Sequence, residues 1–525
     1  MSQAKFLPTP SSSVGVALGQ FFGSEFVADA AVAMGVHVLY GAPGTGKTSA
    51  LAALHRDLVL RAGLKPEEIL VLAATRESAA VLRDCLLLEL GASVADQDAA
   101  YAVEGPLART ISSLAFAVVR HHALSNDLRE PELISGAQQD AIFLDLLKQH
   151  ELTPNAELWP QHISQVTRAL SGFRTELRDL IASCQELGLT ANGLQDLPSG
   201  RPEWKAAAKV FEAYEALMVS DEYLHRFDAP SLVNRAIDLL AKAQEELGYR
   251  MILVDDAQEL TPSAARLIAN LAGATTGLAL FGDPDASTLG FRQADPRIMS
   301  ELAAEVAASR NATVAVRALE SDPWGKPAGL APAMRKVSGL IGAEGAGRQR
   351  IVHAASAAQE GLTSVTAKVF KSQQDEIDWL AFTLRKLHLE SNIAWQDMAV
   401  VARTRQQLDA LERSLAAESV PVRIVGAQHA LRDEFASREL LELAAVCQLA
   451  ADVDAVSAER LLRSPFCGLD SVSLRRLRRQ LRRQELEGVE EGQIGRNSDE
   501  LLVELFTTPG AAATLRGTDG VKVRK

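Results

Sequence analysis

Residues Gly41 to Thr48 read GAPGTGKT, which satisfies the spacing G-x-x-x-x-G-K-[ST] at every fixed position. Phosphate chemistry needs that spacing. Glycines at Gly41, Gly44 and Gly46 let backbone N–H groups turn inward around phosphate oxygens, with Ala42, Pro43 and Thr45 completing the loop. A helix starting at the end of the loop presents its positive end to the same oxygens. Lys47 can reach the β- and γ-phosphates of a nucleoside triphosphate, and the Thr48 hydroxyl can hold Mg2+. A second stretch, MILVDDAQEL (251–260), is an apolar run ending in two acids. Asp255, at the end of a buried strand, is placed to hold Mg2+ through water. Asp256 can polarise an attacking water, with one methylene less reach than glutamate. Gln258 can orient that water or sense a γ-phosphate. The plainer alternatives are a Gly-rich strand–helix turn and a strand capped by solvated acids.

Two further stretches carry weaker signals. LALFGDPDASTLGFRQAD (278–295) is another strand ending in Asp283 and Asp285. In it Phe291 stands beside Arg292, an aromatic–cation pair that suits base stacking on single-stranded nucleic acid. Plain packing is the alternative. LRRLRRQLRR (474–483) sets leucines at 474, 477 and 481 against a dense arginine face. That face could follow a nucleic-acid backbone, or be a solvated surface paired with acids such as those of ELEGVEE just downstream.

The bulk composition frames these sites. With 525 residues, two to four domains are expected. A net charge of −13 announces no global basic field, so any polyanion must be held in a locally basic groove. Cys85, Cys184, Cys447 and Cys467 have neither metal-ligand nor redox spacing and suit a reducing, cytoplasmic compartment. No leader and no membrane span are expected.

The elements that must position the motifs follow from periodicity. GVHVLY reads as a buried strand before the loop and TSALAALHRDLVLRAG as a helix after it; EEILVLAAT and RESAAVLRDCLLLEL repeat the alternation. That is the βαβ pattern of a parallel sheet covered by helices. Between about 112 and 249 the texture is helical, and strands return at YRMILVDD and GLALFGD. A helical block therefore interrupts one α/β domain. A second α/β segment follows, with strands expected in TSVTAKVFKS, DMAVVAR and PVRIVG, and the chain is helical again after about 430.

These stretches occur in the order and spacing of a known family. GAPGTGKT, ILVLAATRESAAVLRD, ARTISSLAFAVV, LISGAQQD, FDAPSLVNRAIDLL, ILVDDAQEL and FGDPDASTLGFRQAD resemble the motifs of the UvrD/Rep group of superfamily 1 DNA helicases. DMAVVARTRQQLDALERSLAAESVPVRIVG continues the resemblance. Within the group the chain is most similar to the AdnA-type subunit of the actinobacterial RecB-like helicase–nuclease. The features are the DDAQ form, the insert FRTELRDLIASCQELGL and the stretch LLRSPFCGLDSVSLRRLRRQLRR.

The resemblance implies an α/β, P-loop NTPase (RecA-like) architecture of parallel-sheet domains with large helical insertions. Residues 1–14 are rich in Pro and Ser and are expected to be disordered, while the resemblance implies a motor domain 1A from 15–111 and 249–335 and an insertion 1B from 112–248. The start of domain 2A (345–430) and a truncated, helical 2B-like region (431–525) would follow. ATP and Mg2+ are the implied cofactors, held by Lys47, Thr48 and Asp255, with Asp256 in the place of a catalytic glutamate. Thr75 and Arg76 match a first DNA-contacting motif, Thr110 and Ser113 the next, and Phe291 the aromatic that stacks on a base. The implied role is an ATP-dependent helicase subunit in double-strand-break repair, acting on single-stranded DNA or DNA ends beside a second helicase–nuclease subunit, away from membranes. The alternative is a catalytically weak nucleotide- and DNA-binding scaffold.

The departures from the pattern point one way. No clear adenine-reading glutamine precedes the loop, Gln20 being the nearest. Ala286 stands where a γ-phosphate glutamine is expected, Leu289 where an aromatic is, and no arginine-finger element is recognisable beyond Arg317. The late motifs of the family are not found before residue 525, which suggests a shortened gene product or reliance on a partner motor. Tight MgATP binding with slow hydrolysis is therefore expected. Asp256→Glu alone should leave steady-state ATP turnover well short of a fully equipped motor; a large recovery would show that the other losses hardly matter.

Overall fold

The strand in GVHVLY is Val36–Gly41 (β1), buried at all six residues. A strand apolar on both faces fits only in a sheet covered on both sides. The computed structural model supplies that sheet. It describes residues 35–94, 107–152, 159–198, 201–242, 248–319, 330–342, 345–350, 366–424, 454–463, 467–487, 495–508, 510–515 and 517–524. After β1 come Ile69–Ala73 (β2), Arg109–Thr110 (β3), Glu132–Leu133 (β4) and Arg226–Phe227 (β5). Met251–Val254 (β6), Gly277–Gly282 (β7) and Val314–Leu319 (β8) follow. Six of these form one parallel sheet in the order β3-β2-β6-β7-β1-β8. The short β4 and β5 pair apart from it.

Successive strand residues face opposite sides of a sheet, and the two cores divide accordingly. Leu39, Val71, Leu253 and Phe281 pack beneath the helices Lys47–Leu60 and Arg76–Val94. Val38, Leu70, Ile252 and Leu280 pack beneath Ile111–Ser125, Ala229–Lys242, Pro262–Leu271 and Ile298–Ser309. Both layers are apolar, so the strands read as near-continuous hydrophobic runs.

Between β3 and β6 the described chain is helical except for β4 and β5. Gly136–Leu152, Ser171–Leu187 and Pro202–Met218 enclose a separate core around Phe143, Ile181, Phe211 and Tyr214. Arg174 grips Asp140 through two hydrogen bonds of 2.8 Å, joining the first two of these helices. The Tyr214 hydroxyl donates to Asp228 at 2.7 Å, and Asp228 accepts from the Ser231 N–H at the start of helix Ala229–Lys242. That start is where the insertion returns to the sheet.

The chain divides into compact units at residues 1–368 and 369–525. The 3-10 helix Gly345–Arg350, which the sequence places at the start of a second motor domain, packs against β1, β8 and the turn Pro284–Ala286. In the second unit, Gln373–Glu390 and Arg405–Ala417 share a small core at Ala381, Leu415 and Val420. Ala455–Arg463, Ser471–Glu487 and Ser498–Thr507 share another at Leu462, Leu477 and Leu502. The three strands expected after residue 362 are a correction: the described residues 366–370, 398–402 and 421–424 form no strand. A strand is held by the ladder of a neighbour. Among the described residues none of these segments meets one, and Val369 and Val401 are 99% and 93% exposed. Leu474, Leu477 and Leu481 are buried as the spacing requires. Part of the arginine face is neutralised, Arg478 by Glu459 and Asp499 and Arg483 by Glu487. Residues 1–14, Gln20 and Cys447 lie outside the described residues.

His55, within the helix Lys47–Leu60, is fully buried, and neither ring nitrogen has a hydrogen-bond partner. Burial lowers its pKa from 6.5 to about 4. The folded state therefore keeps it neutral while the unfolded chain takes up a proton below 6.5. Its contribution is intact above that pH and lost as pH falls toward 4. Exchanging His55 for Leu should remove about 2–3 kcal/mol of the stability loss between about pH 7.5 and about pH 4.5. Urea unfolding at both pH values checks this. An unchanged acid limb would show that other groups set it.

Candidate nucleotide site

In a parallel sheet the loops at the carboxyl ends of the strands share one edge, and ligands bind there. β1 ends at Gly41, and the phosphate loop begins there. Gly44 and Gly46 sit at φ 81° and 87°, a region L side chains rarely enter. The loop closes on itself through Thr45, whose N–H and hydroxyl both donate to the Ala42 carbonyl, at 3.2 and 2.8 Å. Lys47 folds back over the loop, its Nζ donating to the carbonyls of Gly41 (2.8 Å) and Ala42 (3.2 Å). The ammonium thus sits over the loop's own backbone.

β6 runs two strands away from β1, and its end brings Asp255 to the first residues of the helix after the loop. Thr48 Oγ1 donates to Asp255 Oδ2 at 2.9 Å, across 207 residues of sequence. Asp255 is buried, and its Oδ1 has no hydrogen-bond partner. Burial first, and the neighbouring Asp256 carboxylate second, push its pKa up to about 6. A buried carboxylate oxygen without a donor, such as Oδ1, is costly, and a hard divalent cation takes carboxylate and hydroxyl oxygens as ligands. Thr48 and Asp255 therefore suit Mg2+.

Asp256 takes a left-handed conformation, φ 49° and ψ 45°, which turns the chain sharply off the strand. Gln258 is buried, and its amide is committed at both ends: Nε2 donates to Asp256 Oδ1 (3.2 Å) and Oε1 accepts from the Asp283 N–H (2.9 Å). It thus bridges the end of β6 to the end of β7. Glu259, which the sequence did not single out, does the same more strongly. Its carboxylate accepts from the Thr288 N–H and hydroxyl (2.6 and 2.8 Å) and from the Leu289 N–H (2.8 Å). A charged acceptor with three donors is a strong anchor, and it fixes the turn just before Phe291.

Phe291 itself is 74% exposed, with the Arg292 guanidinium 5.4 Å from its ring centre, so core packing does not account for it. Gln293 next to them donates to Ser183 Oγ at 3.1 Å, tying this turn to the helical insertion. Thr75 and Thr110 lie at the ends of neighbouring strands β2 and β3. Each is a helix N-cap, accepting from the N–H groups of Ser78 (3.0 Å) and Ser113 (3.2 Å). Two helix N-termini thus stand side by side, with Arg76 and Ser113 exposed in their first turns. Helix N-termini favour anions. A cavity of about 190 Å3 reaches from Asp255 and Asp256 past Glu259 to Thr110 and Arg292, so both groups of residues border one space.

Arg317 lies within β8, paired in register with Leu39 and within electrostatic reach of His37. A different arginine serves the ends of the strands. Arg350 binds Asp285 through two hydrogen bonds, Nε at 2.8 Å and Nη2 at 2.7 Å. No sequence signal marks it. Among the described residues, no helix is long and apolar enough to cross a membrane, and no cluster of three His, Cys, Asp or Glu side chains could hold a metal.

Comparison with known proteins matches residues 26–307 to the UvrD/REP helicase N-terminal domain and residues 341–489 to the UvrD-like helicase C-terminal domain. Among curated relatives, the chain is 24% identical over 310 residues to the ATP-dependent DNA helicase PcrA of Leuconostoc citreum. That covers 56% of this chain and 38% of the relative. It is 22% identical over 436 residues to the ATP-dependent DNA helicase srs2 of Schizosaccharomyces pombe, covering 81% of this chain and 45% of the relative. The chain thus spans less than half the length of either.

If Asp255 and Thr48 hold the metal, the variant Asp255→Asn should lose Mg2+-dependent affinity for a fluorescent ATP analogue by about tenfold or more. Affinity in EDTA should stay at the wild-type level. A variant that keeps its Mg2+ dependence would remove Asp255 from the metal site.

Proposed function

Because the chain belongs to the UvrD/REP helicase family, we propose that it is an ATP-dependent DNA helicase subunit coupling MgATP binding and hydrolysis to movement along single-stranded DNA. The observation that carries the proposal is the Thr48–Asp255 contact, which joins a complete phosphate loop to a buried carboxylate with an oxygen free for a cation. The loop N–H groups and Lys47 bind the phosphates, and Thr48 and Asp255 hold Mg2+. When bound, the ion would supply positive charge against the phosphates. Asp256 accepts the proton of the attacking water as its oxygen bonds to the γ-phosphorus and the bond to the β-phosphate oxygen breaks. Phe291 and Arg292 offer a base a stacking surface, and the N-termini at Thr75–Arg76 and Thr110–Ser113 receive the DNA backbone.

In this reading residues 15–111 and 249–335 are motor domain 1A and 112–248 the insertion 1B. Residues 345–430 begin domain 2A and 431–525 form a 2B-like region, with 345–350 lying against 1A. The DDAQ form and the helical insert support an AdnA-type subunit that works with a second helicase–nuclease subunit at DNA ends in double-strand-break repair, in the cytoplasm.

One observation favours a second reading, a scaffold with little hydrolysis of its own. Asp256 is short, Gln258 is committed to Asp256 and Asp283, and Ala286 has no polar group to offer. Steady-state ATP hydrolysis with and without single-stranded DNA separates the two, with Lys47→Ala as the blank. DNA-stimulated turnover above the blank supports a working motor. Tight MgATP binding with turnover at the blank supports the scaffold, and neither binding nor turnover refutes both.

A further inference from the structure

The ends of β6 and β7 pose an electrostatic problem for a triphosphate site. Asp255 and Asp256 follow β6 and Asp283 and Asp285 follow β7, and the phosphates that the site would receive are anions too. Asp255 and Asp283 both feel the charge of Lys47; Asp255 also feels Asp256, and Asp283 also feels Asp285. Left alone, these carboxylates would work against the lysine. Asp285, however, is not left alone. Its nearly buried carboxylate is gripped from both sides by Arg350, 65 residues further along. The same Nη2 also donates to the carbonyls of Ile341 (3.1 Å) and Gly342 (3.2 Å), and the guanidinium reaches Asp283 electrostatically. The neighbouring Gln349 is buried with neither amide atom hydrogen-bonded. Among the described residues, then, Arg350 is the side chain that fastens this segment to the Pro284–Ala286 turn.

Resting on the nucleotide-site reading above, we infer that Arg350 is a positioning residue for nucleotide binding. It neutralises Asp285 and pins the turn, so that a triphosphate can approach Lys47 past the acids. Its Nε and Nη2 are spent on Asp285 and two carbonyls, so it acts through Asp285. A fold-stabilising ion pair alone would make a different prediction: removing Asp285 would be as harmful as removing Arg350.

The test is the affinity of the full chain for a fluorescent MgATP analogue at low and high salt, with thermal melting of each variant. Arg350→Ala should weaken binding about tenfold at low salt, and less at high salt, since removing the guanidinium opens the Asp285 carboxylate to solvent, where its repulsion is screened. Asp285→Asn should bind at least as tightly as wild type. The double variant Arg350→Ala/Asp285→Asn should return to within about threefold of wild type, as two residues acting on one charge must couple. An undiminished Arg350→Ala, or a loss that Asp285→Asn does not recover, overturns the inference while leaving the nucleotide site intact. A wild type that binds no better than Lys47→Ala overturns the nucleotide reading itself, and this inference with it.

Discussion

Every functional side chain in the first unit depends on one constraint, the parallel alignment of six strands. Parallel strands cannot be joined by tight turns; each connection crosses over the sheet and returns to the same end. As a result, the loops that follow β1, β2, β3, β6 and β7 all open at one edge. The phosphate loop, the Thr75 and Thr110 caps, the acid pair and the Phe291 turn come together because of that geometry. Strand order then decides the pairings within the edge. With β7 between β1 and β6, Asp283 falls between the phosphate loop and Asp255, and both acids lie in the field of Lys47.

The edge is built from carboxylates more than from cations, and the structure manages the excess in distinct ways. Asp255 is buried, and its raised pKa marks a charge that wants a cation. Asp283 is buried too and accepts from the N–H of Asp285. Glu259 is saturated by three donors, and Asp285 is held by arginine. Each device leaves a specific side chain committed. Gln258 illustrates the consequence, since an amide that bridges two strand ends is not available to a water molecule unless that bridge opens.

The insertion is not an appendage to this edge. The C-terminal end of its helix Ser171–Leu187 meets the helices and turns that cover the sheet through several polar contacts. Ser263 donates to Glu186, Asn234 to the Gln185 carbonyl at 3.0 Å, Arg266 to the Glu186 carbonyl at 3.2 Å, and Gln293 to Ser183. The last contact lies two residues from Phe291, so the turn that carries this exposed ring is held from the core by Glu259 and from the insertion by Ser183. Displacement of the insertion would therefore be felt at the turn.

Some of this was legible in the sequence because it is local. A phosphate loop is eight consecutive residues whose spacing is its chemistry, and the buried runs of β1, β2, β6 and β7 are recognisable because a strand covered on both faces must be apolar throughout. The acid pair was legible for the same reason, as it follows directly from such a run. The strands expected in 366–370, 398–402 and 421–424 show the limit. Their composition suits a ladder, but a ladder needs a neighbour, and composition does not supply one. Likewise Arg350 and Glu259 are ordinary charged residues in sequence. Only tertiary structure decided that one neutralises Asp285 and the other anchors residues 288–289, because hydrogen bonds across 65 and about 30 residues depend on where the chain returns, which no spacing rule encodes.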